Sequence, residues 1–197
     1  MARAGITAER LTGAAADLAD EIGFDNVTVS GLARRFGVAD ASLYSHVRNL
    51  RELRTRVAVR AARDFADVLA PAVAGRSGRA ALAAFADAYR GFALAHPGRY
   101  AATNLQLPPE VVADSPGHLQ LIEYTAAMLR GFPLAEPDRT DAVRLLRSTF
   151  HGFVAIEAAN GFGHPREVAT SWRRAIGALG HLLEHWPGAD ETEGTRP

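Results

Sequence analysis

The chain has 197 residues, 48% of them apolar, and its 22 basic and 22 acidic side chains leave no net charge. That length suits one domain, or a small head fused to a larger body, with apolar side chains enough for a substantial core. There is no cysteine, which excludes disulfides, thiolate chemistry and cysteine-based zinc sites. No apolar run approaches the roughly eighteen residues of a membrane span. Met1-Ala2-Arg3-Ala4-Gly5 carries no apolar signal core, so a cytoplasmic location away from membranes is expected.

Breakers arrive at helical intervals and strand-like alternation is rare, so the expected fold class is all-α, with about nine helices. Leu11, Ala14, Leu18 and Ile22 step by three and four, which predicts a helix over Thr7–Glu21 with Thr7 as its cap and Gly23 as its stop. Thr28 is placed to cap a short helix, Val29–Phe36, ending at Gly37, and a second short helix follows at about Asp40–His46. Leu50, Leu53, Val57, Ala61, Phe65 and Val68 mark a long helix from about Asn49 to a break at Pro71. Beyond the loop Gly75–Gly78, Leu82, Phe85, Tyr89, Phe92 and His96 mark the next helix, ended by Pro97-Gly98. A short helix at Arg99–Leu105 precedes a loop at Pro108-Pro109. Three further helices are expected over about Ser115–Gly131, Asp138–Asn160 and Arg166–Trp186, and the polar residues 188–197 read as a disordered tail.

The even charge balance conceals a local excess. Between Asn26 and Arg60 there are seven arginines against two acids, Asp40 and Glu52, which suggests a patch for a polyanion. All basic residues are arginine, which suits phosphate and guanine edges, although the Ala, Arg and Gly richness of the whole chain accounts for that equally well through coding bias.

The informative stretch is Thr28–His46, TVSGLARRFGVADASLYSH. Two short helices joined by a glycine-containing turn make a helix-turn-helix, too small to fold alone. Leu32, Phe36, Val38, Leu43 and Val47 form its apolar knot, which the flanking helices must cover. Asp40, Ala41, Ser42, Tyr44, Ser45 and His46 are left on the other face of the second short helix, small or hydrogen-bonding groups of the kind a helix in a major groove requires. The competing reading is an ordinary surface helix of a bundle.

Thr28-Val29, Leu32-Ala33, Phe36-Gly37-Val38, Ser42-Leu43-Tyr44-x-His46 and Leu53 together resemble the DNA-binding head of tetracycline-repressor (TetR) regulators, over about Thr7–Leu53. The resemblance implies a three-helix head at residues 1–53 and a ligand-sensing and dimerisation bundle at 54–187. It implies that Thr28, Tyr44 and His46 hold phosphates and that Ala41, Ser42 and Ser45 meet the groove floor. Phosphate contacts position a protein without specifying sequence. Two departures stand out. Ala39 and Asp40 occupy places where the family often has Ser or a basic residue, although Asp40 could cap the helix one residue later. Leu50 stands where a Lys is usual, so Arg48 or Arg51 is expected to supply that phosphate contact.

The body also resembles the C-terminal domain named for a Trp-His-Gly motif, here Phe150-His151-Gly152, through Leu69–Arg79, His96-Pro97-Gly98-Arg99-Tyr100, Arg147-Ser148 and Gly161-Phe162-Gly163. Apolar residues nearly all round Val143–Ile156, and the seam Val168, Trp172, Ile176, Leu179, Leu183 and Trp186, suggest a homodimer through the last two helices, with Gly152, Gly177 and Gly180 allowing close approach. A two-fold dimer matches a palindromic double-stranded DNA operator. A small-molecule effector is expected between the helices 49–71, 82–96, 115–131 and 138–160. Its candidate contacts are Tyr89, Phe92, His96, Tyr124, Met128, Arg147 and His151. For each of these, packing in the core is the competing role.

His181 and His185 stand four apart on one helix with Glu184 beside them, a spacing able to clamp a metal. The sequence suggests no further ligand, so an exposed or interfacial face is the reading and neither metal nor cofactor is expected. No phosphate loop, nucleophile elbow or His-Glu-x-x-His motif supports an enzyme. The sequence therefore predicts a non-enzymatic transcriptional regulator, a repressor in the family's usual manner. The alternative is a helical binding or adaptor protein that keeps the head without using it on DNA.

Overall fold

The computed structural model describes residues 5–187; over them it holds ten α-helices and one 3-10 turn, with no strand. The tail expected at 188–197 lies outside the described residues. Helix α1 (Ala8–Ile22) starts where the Thr7 hydroxyl accepts the Arg10 amide at 3.1 Å, and it ends at Gly23, φ 89°. A 3-10 turn, Phe24–Asn26, then drops Phe24 into the core. Helix α2 (Val29–Phe36) has the expected bounds. Thr28 accepts the Gly31 amide at 3.0 Å, and Gly37 closes the helix at φ 66°, a left-handed conformation costly for other residues.

Helix α3 (Asp40–Leu43) is shorter than expected, and Tyr44–His46 form a turn. Its N-cap is Ala39, which offers no side-chain acceptor. Asp40 does not cap the helix; its carboxylate accepts the Ser30 hydroxyl of α2. Helix α4 (Leu50–Val73) begins where Asn49 Oδ1 accepts the Glu52 amide at 2.9 Å. It runs past Pro71, where a break was expected. A proline so near the end forfeits a single ladder bond, and Arg76 NH1 satisfies the carbonyls of Pro71 at 2.7 Å and Ala72 at 3.3 Å.

Helices α5 (Gly78–Ala95), α6 (Pro97–Thr103), α8 (Pro116–Leu129), α9 (Asp138–Ala158) and α10 (Val168–Glu184) follow the expected order. The additional helix is α7 (Pro109–Ala113), at the proline pair read as a loop. Proline suits the first helical position, and α7 buries no residue, so it leaves no periodic signal.

The described residues form two compact units: those up to 67 with 95–121, and 68–94 with those from 122 onward. In the first, Leu11, Ala15, Leu32, Leu43, Val47, Leu53 and Val57 make one continuous core, which Ala102 of α6 joins. Helix α6 lies directly on α1: a Cβ on Gly98 would collide with the backbone carbonyl of Ala19. Arg99 next to it reaches Asp17, Asp20 and Asp64. Burial works against the Arg99 charge, but Asp17 and Asp20 outweigh it and hold the guanidinium more firmly protonated than usual.

In the second unit the rings of Phe150 and Trp172 lie 5.6 Å apart, with Tyr89 5.3 Å from Phe150 and Phe153 4.9 Å from Trp172. Trp172 is fully buried, and its indole N–H donates to Asp87 at 2.9 Å, as a buried tryptophan requires. Arg79 forks onto Glu184, and Arg90 onto Glu157.

Candidate nucleic-acid interface

Leu43 and Val47, four residues apart, are both buried, and they fix which way α3 and its turn face. Asp40, Ala41, Ser42, Tyr44 and Ser45 are consequently exposed and His46 is half-buried. Tyr44 leaves 53% of its surface open, much for so large a ring. The Ser45 hydroxyl donates to the Ser42 carbonyl at 2.8 Å, keeping lone pairs free. The His46 carbonyl accepts from Arg56 NH1 at 2.9 Å, which ties the turn to α4.

Thr28, exposed at the start of α2, uses its hydroxyl oxygen on the Gly31 amide; the hydroxyl proton remains available as a donor. A Cβ at position 31 would come within 3.1 Å of that oxygen, so the glycine keeps the cap open. The Arg48 guanidinium is 86% exposed, although its Nε lies 3.3 Å from Glu52. The Arg48 amide, with help from the Arg48 and Arg56 guanidinium groups, holds the Glu52 carboxyl below its ordinary range. Arg34 and Arg51 are exposed, whereas Arg35 pairs with Glu21 at 2.8 Å and Arg54 donates to the Asp25 carbonyl at 2.7 Å. Part of the basic excess thus serves the fold, while Arg34, Arg48 and Arg51 face solvent.

Sequence reasoning missed the Ser30–Asp40 bond, the Arg56–His46 bond and the Asn49–Glu52 cap. The first two join residues ten apart, across turns whose path sequence periodicity does not encode. Asn49 three residues before Glu52 is a helix-start signature that was available.

The residues expected to meet an effector are distributed between the two units. His96 belongs to the first, where its Nδ1 lies 3.2 Å from Asp20. Phe92 and Met128 are buried, Tyr89 and Tyr124 half-buried, and Arg147 and His151 exposed. His151 faces outward because Leu146, Phe150 and Val154, four apart, occupy the inner face of α9. A cleft of about 470 Å³ in the first unit, lined by Ile6, Arg10, Ala14, Arg35, Phe36 and Val38, is not among the helices expected to hold a ligand. Of the three glycines expected at close approaches, Gly180 packs on Arg79 and Leu82, while Gly152 and Gly177 face open space.

A capped helix-turn-helix with an exposed polar second helix, carried by a larger helical body, defines a DNA-binding regulator. Residues 11–57 match the family model described as bacterial regulatory proteins of the tetR family, and residues 82–179 the model of a tetracyclin repressor-like C-terminal domain. An uncharacterized HTH-type transcriptional regulator of Bacillus subtilis (strain 168), YobS, is 31% identical over 172 residues, covering 86% of this chain and 88% of its own. Two solved structures share the fold. A protein of unknown function from Rhodococcus sp. RHA1 has TM-score 0.73 and 24% identity, covering 93% of this chain and 98% of its own. A TetR from Acinetobacter baumannii AYE in complex with minocycline has TM-score 0.63 and 19% identity, covering 94% and 100%. The chain belongs to the TetR family of transcriptional regulators, whose members bind DNA. No helix among the described residues is long and apolar enough to cross a membrane.

Proposed function

We propose that two copies of this chain form a cytoplasmic repressor that grips a palindromic operator and releases it when a small molecule binds. The observation that carries this reading is the exposure of Ser42, Tyr44 and Ser45 beside Arg48 and Arg51, while Leu43 and Val47 anchor the same segment in the core. In this proposal residues 1–53 bind DNA and residues 54–187 sense and dimerise. Thr28, Tyr44, His46, Arg48 and Arg51 hold phosphates, and Ala41, Ser42 and Ser45 face bases. Asp40, engaged by Ser30, acts on the groove indirectly by fixing the angle between α2 and α3.

Pairing through α9 and α10 is supported by Ile156 and Leu182, 46% and 38% exposed, and by the open space at Gly177. A two-fold pair presents its heads to half-sites about 34–36 Å apart. The minocycline complex of the Acinetobacter baumannii protein offers a precedent for a small-molecule effector. Tyr89, Phe92, Tyr124, Met128, Arg147 and His151, all of the second unit, remain the proposed contacts, and Phe150-His151-Gly152 is assigned to the Trp-His-Gly type. Helix α4 contributes to both compact units and serves as the lever. The effector must favour the released state by about 1–3 kcal/mol.

The test is selection from a random duplex pool with the purified protein, followed by sizing of the complex. Enrichment of a palindrome bound by one or two dimers supports the reading. Unenriched binding that stays weak at low salt overturns it in favour of an adaptor that keeps the head without using it on DNA.

A further inference from the structure

At the C-terminal end of α10, His181, Glu184 and His185 are exposed and bring one potential ligand atom each, two imidazole nitrogens and a carboxylate oxygen, within 4.8 Å of one another. We propose that these three side chains form a binding site for a divalent transition-metal ion of the zinc or copper type. This departs from the expectation drawn from the sequence, which found no third ligand for the histidine pair.

Four features of the geometry support it. His181 lies in the last turn of α10 and His185 is its C-cap, and the two imidazole rings lie 4.3 Å apart, close enough to take one ion. The second ring is also held in a fixed orientation: His185 Nδ1 lies 2.9 Å from the His181 carbonyl oxygen. A carbonyl only accepts, so Nδ1 carries the proton and Nε2 keeps the lone pair a metal needs. Metal-binding histidines are characteristically braced in this way, by a second ring N–H given to a carbonyl or carboxylate.

The third ligand is held in place: Arg79 donates to both oxygens of Glu184, at 2.6 and 2.5 Å, which fixes the carboxylate beside the two rings. Each carboxylate oxygen has two acceptor sites, so one oxygen can ligate while the fork to Arg79 persists. Finally, the negative end of a helix dipole favours a cation at this end of α10. Two imidazoles and a carboxylate leave the fourth position of a tetrahedral ion to water. The ligand set favours zinc or copper over magnesium or calcium, which prefer oxygen alone.

The test is a titration of the full-length protein, stripped with chelator, with Zn²⁺ against a chromophoric indicator, and with Co²⁺ read by its visible absorption. One ion per chain is expected, with a Kd below about 10 µM. His181→Ala and His185→Ala should each weaken binding at least about tenfold, and His164→Ala should leave it unchanged. All three positions are exposed, so circular dichroism should show the same fold in every variant. One ion per two chains, equal loss in the His164→Ala protein, or unchanged affinity in the doubly substituted His181/His185 protein would overturn the site.

Discussion

Arg99 gives its backbone N–H to Asp20 Oδ1 at 2.8 Å and its guanidinium to the other oxygen of the same carboxylate, so one residue of α1 receives both the start and the side chain of α6. Arg99 and Asp20 leave only 12% and 15% of their side chains exposed, and Asp17 and Asp64 complete the clamp. Removing one partner from such a pair leaves the other charged and poorly solvated. Arg99→Ala should therefore cost about 2–4 kcal/mol of stability, read as a lower urea midpoint with an unchanged slope.

Gly98→Ala should do more harm than Arg99→Ala. The new methyl would meet the α1 backbone at Ala19, where no side chain can rotate away, so α6 must lift off α1. A loss of at least about 3 kcal/mol is expected, with increased protease sensitivity in the first unit. Equal stability of the two variants would contradict this packing.

Ser30 and Asp40 join α2 to α3 by one hydroxyl–carboxylate bond. A double-mutant cycle with Ser30→Ala and Asp40→Ala should return a coupling of about 0.5–1 kcal/mol, modest because both residues are exposed. Ser30→Ala alone should also weaken DNA binding, since it frees an unpaired carboxylate beside the phosphates. Asp40→Ala loses the same tie but leaves no bare carboxylate, so it should weaken binding less than Ser30→Ala does.

On DNA, His46→Ala and Tyr44→Phe should weaken binding to specific and non-specific duplexes alike, whereas Ser42→Ala should change which bases are preferred. Arg51→Ala should reduce the slope of log affinity against log salt by about 0.9. Identical slopes for Arg51→Ala and the parent protein would remove Arg51 from the phosphate contacts.

Acid should destabilise the protein in two stages. Burial pushes the His118 imidazole below its ordinary value of 6.5, so the folded state binds its proton less readily than the unfolded chain. Its contribution is complete above about 6.5 and declines as pH falls through the lowered value. Glu52 and Glu184 are held below 4.5, so their contributions persist to lower pH and are lost only beneath that. Melting temperature against pH should show both declines, and His118→Gln should remove the first.

Much of the head was legible because its signals are local. Thr28 and Gly37 bound one short helix, so their spacing alone predicts where α2 begins and ends. Helix α7 was not legible, because an element with no buried residue has no apolar period to read. The sensing residues were the least legible. His96 and His151 lie amid apolar sequence in much the same way. Yet one engages Asp20, 76 residues away in the chain, and the other faces outward from α9.

The sequence by itself determined the helical class, the order of the longer helices, the caps of α1 and α2 and the family, since each rests on neighbours within a few turns of chain. Only the tertiary structure decided that Asp40 binds Ser30, that Arg99 clamps α1, that the Phe150 ring meets Trp172, and that Glu184 stands between Arg79 and two histidines. The physical reason is that these contacts form between residues brought together by packing. Periodicity records which face of a helix is buried and is silent about what it is buried against.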